Sequence, residues 1–175
     1  MEARFDYPKA IPQAVKMMLD FEAYLSQCGL ETQLLHLVKM RASQINGCAY
    51  CLDMHSKDAR AEGETEQRLY ALNAWSETPF FSDRERAALL WTEAVTLVGQ
   101  GHVADPVYDA VRRQFSSEEL ANLTLAITSI NSWNRLNVAF RTVPGNYRPS
   151  MFQTQREASS QRGGRQTHPG PAAPQ

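Results

Sequence analysis

The 175-residue chain has no apolar run near the ~20 residues that a membrane-spanning helix needs. Its first residues, Met1 to Pro8, carry Glu2 early and contain no apolar core of a secretory signal. These two absences lead us to expect a cytoplasmic protein that makes no use of a membrane. Cysteine is scarce, with 3 in the whole chain, too few for a disulfide-stapled scaffold. Excess charge is missing too: a net charge of −1 gives no field for nucleic acid or another polyanion. No period-2 alternation is long enough for a strand, and no repeat of solenoid length recurs. At this length one domain is expected.

What is present is helical periodicity. Residues 11 to 27 read as a helix through Ile11, Val15, Met18, Leu19 and Ala23, with Pro12 in the first turn and Gly29 after the end. A second helix is expected from Thr32, as N-cap, through Leu34, Leu35, Val38, Ala42 and Ile45 to Asn46-Gly47. A third starts at Cys48 and runs to Ala61 or Glu62, broken by Gly63, and a short fourth after Thr65 holds Leu69, Leu72 and Trp75. Ser82 or Asp83 caps a fifth, periodic to Val98 and ended by Gly99 and Gly101. Asp105-Pro106 starts a sixth through Val107, Val111 and Phe115, and Ser116 or Ser117 opens the longest, to about Arg141. The expected fold is all-α, a bundle of about six to seven helices over residues 1–145. From Pro144 the composition changes, and 146–175, rich in Ser, Gly, Arg and Pro, reads as a largely disordered extension.

Two of the cysteines fall in Asn46-Gly47-Cys48-Ala49-Tyr50-Cys51, with His55 four residues on. On a helix, Cys48, Cys51 and His55 stand at i, i+3 and i+7, which is one face. A thiol reacts as thiolate, and a helix start, a C-x-x-C pair and a neighbouring imidazole each favour that form. The spacing also lets two sulfurs close a disulfide across one turn. One thiolate can then attack a peroxide, become a sulfenic acid and condense with the other thiol, and an external dithiol can reset the pair. Such a cycle needs no haem, flavin or metal as cofactor. The same residues could instead supply zinc ligands, completed by Cys28, His36 or His102, or serve as small buried apolar groups. Cys28, alone at a helix end, reads as packing.

With that motif, its lead-in Leu37-Val38-Lys39-Met40-Arg41-Ala42-Ser43-Gln44-Ile45, and the later segments Trp91-Thr92-Glu93-Ala94, Gly101-His102-Val103 and Asn134-Arg135-Leu136-Asn137, the chain resembles the alkylhydroperoxidase AhpD-like core of the carboxymuconolactone decarboxylase superfamily. The resemblance covers roughly residues 10 to 145. It implies a helical protomer in a homo-oligomer, trimer or hexamer, that reduces hydrogen peroxide or organic hydroperoxides. It also implies Cys51 as the peroxidatic residue, Cys48 as the resolving one, His55 in a proton relay, and a dithiol or thiol-protein reductant as partner. The relay glutamate of the family stands twelve residues before the first cysteine, where this chain has His36. A histidine there can relay protons near neutral pH but supplies no fixed negative charge. Glu93 is a second candidate for that carboxylate, and Tyr50 replaces the histidine found between the cysteines of the archetype. A lactone decarboxylase is the alternative enzyme, and a non-enzymatic helical oligomer with a Cys/His zinc site the alternative binding protein. The polar tract Thr128 to Asn137 is expected to line the cysteine site, a subunit contact or the internal packing of the bundle.

Overall fold

Gly47 decides how the central hairpin turns. Its left-handed backbone (φ 65°) closes one helix, where a Cβ would be strained, and the next helix begins two residues later. In the computed structural model, which describes residues 1–149, the chain forms α1 (Tyr7–Ala10), α2 (Pro12–Leu25), α3 (Thr32–Asn46), α4 (Ala49–Ala61) and α5 (Glu66–Ala71). A 3-10 segment (Leu72–Glu77) leads on to α6 (Asp83–Thr96), α7 (Val98–Gly101), α8 (Asp105–Arg112) and α9 (Ser117–Phe140). The all-α expectation holds, with nine α-helices among the described residues where six to seven were expected. The two additional ones, α1 and α7, are single turns of 4 residues each, too short to show a period.

Local chemistry explains the other differences. Ile11 leaves the helical region (φ −132°) ahead of Pro12, so α1 and α2 stay separate. Thr32 is the first helical residue and not the cap; the cap position falls on Glu31, whose backbone is extended (φ −62°, ψ 132°) and whose carboxylate pairs with Arg84. Gly99 and Gly101 do not end α6. It stops at Thr96, the glycines lie inside α7, and the sharp turn falls on His102 (φ 55°). Ser82 with Glu85 and Ser116 with Glu119 form reciprocal capping boxes that start α6 and α9.

α3 is the axis of the molecule, packed against α4, α6 and α9. On one side Leu34, Leu35, Val38, Ala88, Trp91, Leu120, Leu123, Ala126 and Ile127 close a large apolar core. On another, Leu37, Met40, Ala59, Leu69, Leu72, Phe81 and Leu89 fix α4 and α5 to α3 and α6. A third, smaller cluster holds Ala42, Ile130 and the two cysteines. No helix among the described residues is long and apolar enough to cross a membrane. The expected boundary at 145 falls inside a segment that returns to α4, since Tyr147 is buried. The rest of the expected extension, from 150 on, lies outside the described residues.

Candidate functional site

The turn from α3 to α4 sets both cysteines at the start of a helix. Cys48 is the N-cap of α4, its N–H donating to the Ser43 carbonyl (3.0 Å) and its sulfur accepting from the Cys51 N–H (3.3 Å). The two residues are joined as a disulfide, with their Cα atoms 5.3 Å apart. Each is 1% exposed, so the pair sits beneath the surface of the protomer. The expected spacing is realised: Cys51 and His55 lie one turn apart on the buried face of α4.

A ladder of asparagines on α9 holds the lead-in to the motif. Asn46 Nδ2 donates to Asn131 Oδ1 and Asn134 Oδ1 (2.9 Å each), and Asn134 Nδ2 donates to Ser43 Oγ (3.0 Å). One turn further along α9, Asn137 Nδ2 stands 3.6 Å from Cys51 Sγ and donates to the Trp133 carbonyl at 3.0 Å. Asn137 Oδ1 in turn accepts from the Tyr7 hydroxyl at 3.3 Å. Within the protomer, Asn137 brings the polar tract to the cysteines, while Asn131 and Asn134 tie α9 to α3.

His55 is 6% exposed. Its Nδ1 lies 3.8 Å from Asp58 Oδ2, at ion-pair range but too long for a hydrogen bond. Burial lowers the tendency of His55 to take a proton. The Asp58 carboxylate and the more remote Glu22 oppose burial, Lys39 reinforces it, and the net shift is downward. Burial pushes the Asp58 carboxyl up. His55, the Tyr147 hydroxyl and the charge of His36 outweigh it and hold Asp58 below the usual carboxylate range. Glu22 follows the same pattern: desolvation raises it, and Lys39 Nζ (2.6 Å) with Ser129 Oγ (2.6 Å) brings it below its ordinary value.

His36 is placed elsewhere. Its Nε2 lies 3.2 Å from Glu62 Oε2, just past the end of α4 and eleven residues beyond Cys51, about 16 Å along a helix axis. It bears on the cysteine side electrostatically, through Asp58. Glu93 is likewise engaged in structure, accepting from Arg41 Nε (2.8 Å) and Trp75 Nε1 (2.7 Å). Among the described residues no three His, Cys, Asp or Glu side chains converge as metal ligands. Cys28 packs against the large core and His102 is exposed, so neither joins the pair. Glu22, Lys39, Asp58, Asn137 and Tyr147 went unnoticed or unassigned in the sequence. Only Asp58, at i+3 from His55, carried a signal that helical spacing could have revealed.

Residues 12–94 match the carboxymuconolactone decarboxylase family. Over 139 residues the chain is 45% identical to the uncharacterized protein YdfG of Bacillus subtilis (strain 168), an alignment spanning 79% of this chain and 95% of that one. The chain belongs to the carboxymuconolactone decarboxylase family. Uncharacterized protein YnjA of Escherichia coli (strain K12) is a second relative, 32% identical over 103 residues, covering 59% of this chain and 56% of YnjA. Among solved structures, the chain is similar to ATU0492 of Agrobacterium tumefaciens, a protein of unknown function proposed to be the antioxidant defence protein AhpD. It is 41% identical, with a TM-score of 0.81 over 83% of this chain and all of that one (100%). The debrominase Bmp8 shares the fold at 21% identity, with a TM-score of 0.71 over 79% of this chain and 74% of its own.

Proposed function

We propose that the protein is a thiol-dependent peroxidase in which Cys51 attacks hydrogen peroxide or a small organic hydroperoxide and Cys48 resolves the product. The observation that carries this reading is the disulfide closed across the first turn of α4, with His55 one turn beyond it and Asn137 against Cys51. In the reduced protein the Cys51 thiol passes its proton to His55. The thiolate is favoured by the unpaired N–H groups at the start of α4 and by the Asn137 amide. Attack on the peroxide breaks the O–O bond, leaving the sulfenic acid of Cys51 and an alkoxide that takes the proton from His55 to leave as alcohol or water. The Cys48 thiol then displaces hydroxide from the sulfenic sulfur, and with the Cys48 proton this leaves as water as the disulfide forms. An external dithiol reduces the disulfide by exchange and is itself oxidised to a disulfide. Peroxide and dithiol thus give alcohol or water, a second water and oxidised dithiol. A trimer or hexamer of this chain, in the cytoplasm, is the assembly in which we place this chemistry.

Decarboxylation of a lactone would need proton transfer but no redox pair, so nothing about the joined sulfurs favours it. The test is dithiol-dependent peroxide consumption by the Cys51→Ser and Cys48→Ser variants, with dimedone trapping of sulfenic acid. Both variants should lose turnover by at least ~1000-fold, a scale typical of nucleophile loss, and only Cys48→Ser should keep a trappable sulfenic acid. Full turnover in both variants overturns the proposal.

A further inference from the structure

After α9 the chain reverses at Arg141 (φ 56°) and comes back against α4. Three residues of α4 receive it. The Gly145 N–H donates to Asp53 Oδ2 (3.0 Å), Lys57 Nζ donates to the carbonyls of Gly145 and Tyr147 (3.3 Å each), and the Tyr147 hydroxyl donates to Asp58 Oδ1 (2.5 Å). Tyr147 is 7% exposed, so its ring is inserted beside the helix and not laid on it. The other oxygen of the same carboxylate, Asp58 Oδ2, is the one that faces His55 Nδ1. Cys51, His55 and Asp58 follow one another at i, i+4 and i+7 on α4, so the strap ends on the cysteine-bearing face. His55 Nδ1 is buried and, among the described residues, has no hydrogen-bond partner in this oxidised form. Such an orphaned group is costly unless another state of the protein satisfies it.

We propose that Asp58 and Tyr147 are positioning residues for His55: the carboxylate holds the Nδ1–H, the tyrosine holds the carboxylate, and Nε2 is thereby left as the proton acceptor for Cys51. This rests on the peroxidase reading above. The proton that leaves the Cys51 thiol arrives at Nε2, and the resulting imidazolium is matched by the Asp58 charge, which draws the 3.8 Å separation in to a hydrogen bond. The general logic is that of a carboxylate fixing the tautomer of a catalytic histidine. Other charges also reach the ring: Glu22 from α2 and Lys39 from α3 bear on His55, while His36 from α3 bears on Asp58. Glu22 and Lys39 neutralise one another across a 2.6 Å pair, which leaves Asp58 as the carboxylate that faces the ring without a Lys or Arg in contact among the described residues.

The experiment uses the full chain, reduced, with its four histidines isotopically labelled and His55 assigned through His55→Asn. Ring titrations are followed by NMR, beside the pH profile of peroxide consumption, in Asp58→Asn, Asp58→Glu and Tyr147→Phe. Removing the Asp58 charge should move the His55 titration about 1 to 2 units lower, the usual size of an adjacent opposite charge. The acid limb of the rate profile should move with it, and kcat should fall ~10- to 100-fold at unchanged KM for peroxide. Asp58→Glu should restore part of both, and Tyr147→Phe should shift both in the same direction by a smaller amount, about 2- to 5-fold in kcat. A His55 titration unmoved in Asp58→Asn, or an Asp58→Glu no better than Asp58→Asn, overturns the proposal. Should Asp58→Asn fail to fold, an unmoved titration in Tyr147→Phe does the same. Should the wild type consume no peroxide, the peroxidase reading falls while the titrations still decide whether Asp58 positions His55.

Discussion

The two halves of α9 do different work on one continuous helix. Its N-terminal half buries Leu120, Leu123, Ala126 and Ile127 in the large apolar core. Its C-terminal half buries Asn131, Asn134 and Asn137, each with a hydrogen-bond partner on α3, on α4 or near the N-terminus. Apolar burial is non-directional and scales with area, so it stabilises the bundle without fixing any atom to better than the packing allows. Amide pairs are directional and contribute little net, but each costs its full desolvation if a partner is lost. One half therefore supplies stability and the other supplies position, and the cysteine motif sits beside the second.

Truncation of Leu123, fully buried in the apolar half, should give the largest loss of stability, about 2 to 5 kcal/mol. Urea unfolding reads this directly, and the peroxide turnover of the molecules that remain folded should be unchanged. Asn134→Ala should cost less, about 1 to 3 kcal/mol, because it removes the Nδ2 donor to the buried Ser43 hydroxyl and one of the acceptors of the Asn46 amide. Its effect on chemistry should be larger than its effect on folding: with the Ser43 to Gly47 lead-in loosened, turnover per folded molecule should drop ~10-fold. If Leu123→Ala proved as damaging to turnover per folded molecule as Asn134→Ala, the division between the halves would not stand.

The sequence made this division only half visible. The Cys48, Cys51 and His55 face was legible because helical spacing alone places them together. The starts of α6 and α9 were legible to within one residue, at Ser82 or Asp83 and at Ser116 or Ser117, because capping is a local pattern. The polar tract was visible as unusual, yet its partners were not. Asn137 meets Cys51 across 86 positions, Ser129 meets Glu22 across 107, and Tyr147 meets Asp58 across 89. No local rule encodes such pairs. His36 is a different case: its place twelve residues before Cys48 suggested a relay, and the partner that the hairpin of α3 and α4 gives it, Glu62, could not be read from that spacing. Gly99 and Gly101 misled for a simpler reason, since glycine tolerates a helical backbone and the stop fell on Leu97.

The finest test of the polar half lies at its outer edge. The Tyr7 hydroxyl donates to Asn137 Oδ1 over 3.3 Å, a long contact between neutral groups, while the same amide is also held by the Trp133 carbonyl at 3.0 Å. With one of two restraints removed, Tyr7→Phe should cost no more than about 1 kcal/mol of stability. It should slow oxidation of Cys51 by peroxide about 2- to 3-fold, less than Asn137→Ala, which deletes the donor to sulfur itself. Burial, with Tyr50 nearby, pushes the Tyr7 phenol up to about 12, so its proton stays in place throughout the neutral range. The Tyr7→Phe deficit should therefore be flat between about pH 6 and pH 9, in contrast to the shifted limb expected when Asp58 is changed. Stopped-flow tryptophan fluorescence or quenched thiol assays across that range would separate the two. A Tyr7→Phe deficit that grew with pH would mean that the phenol acts on protons and not on the orientation of the Asn137 amide.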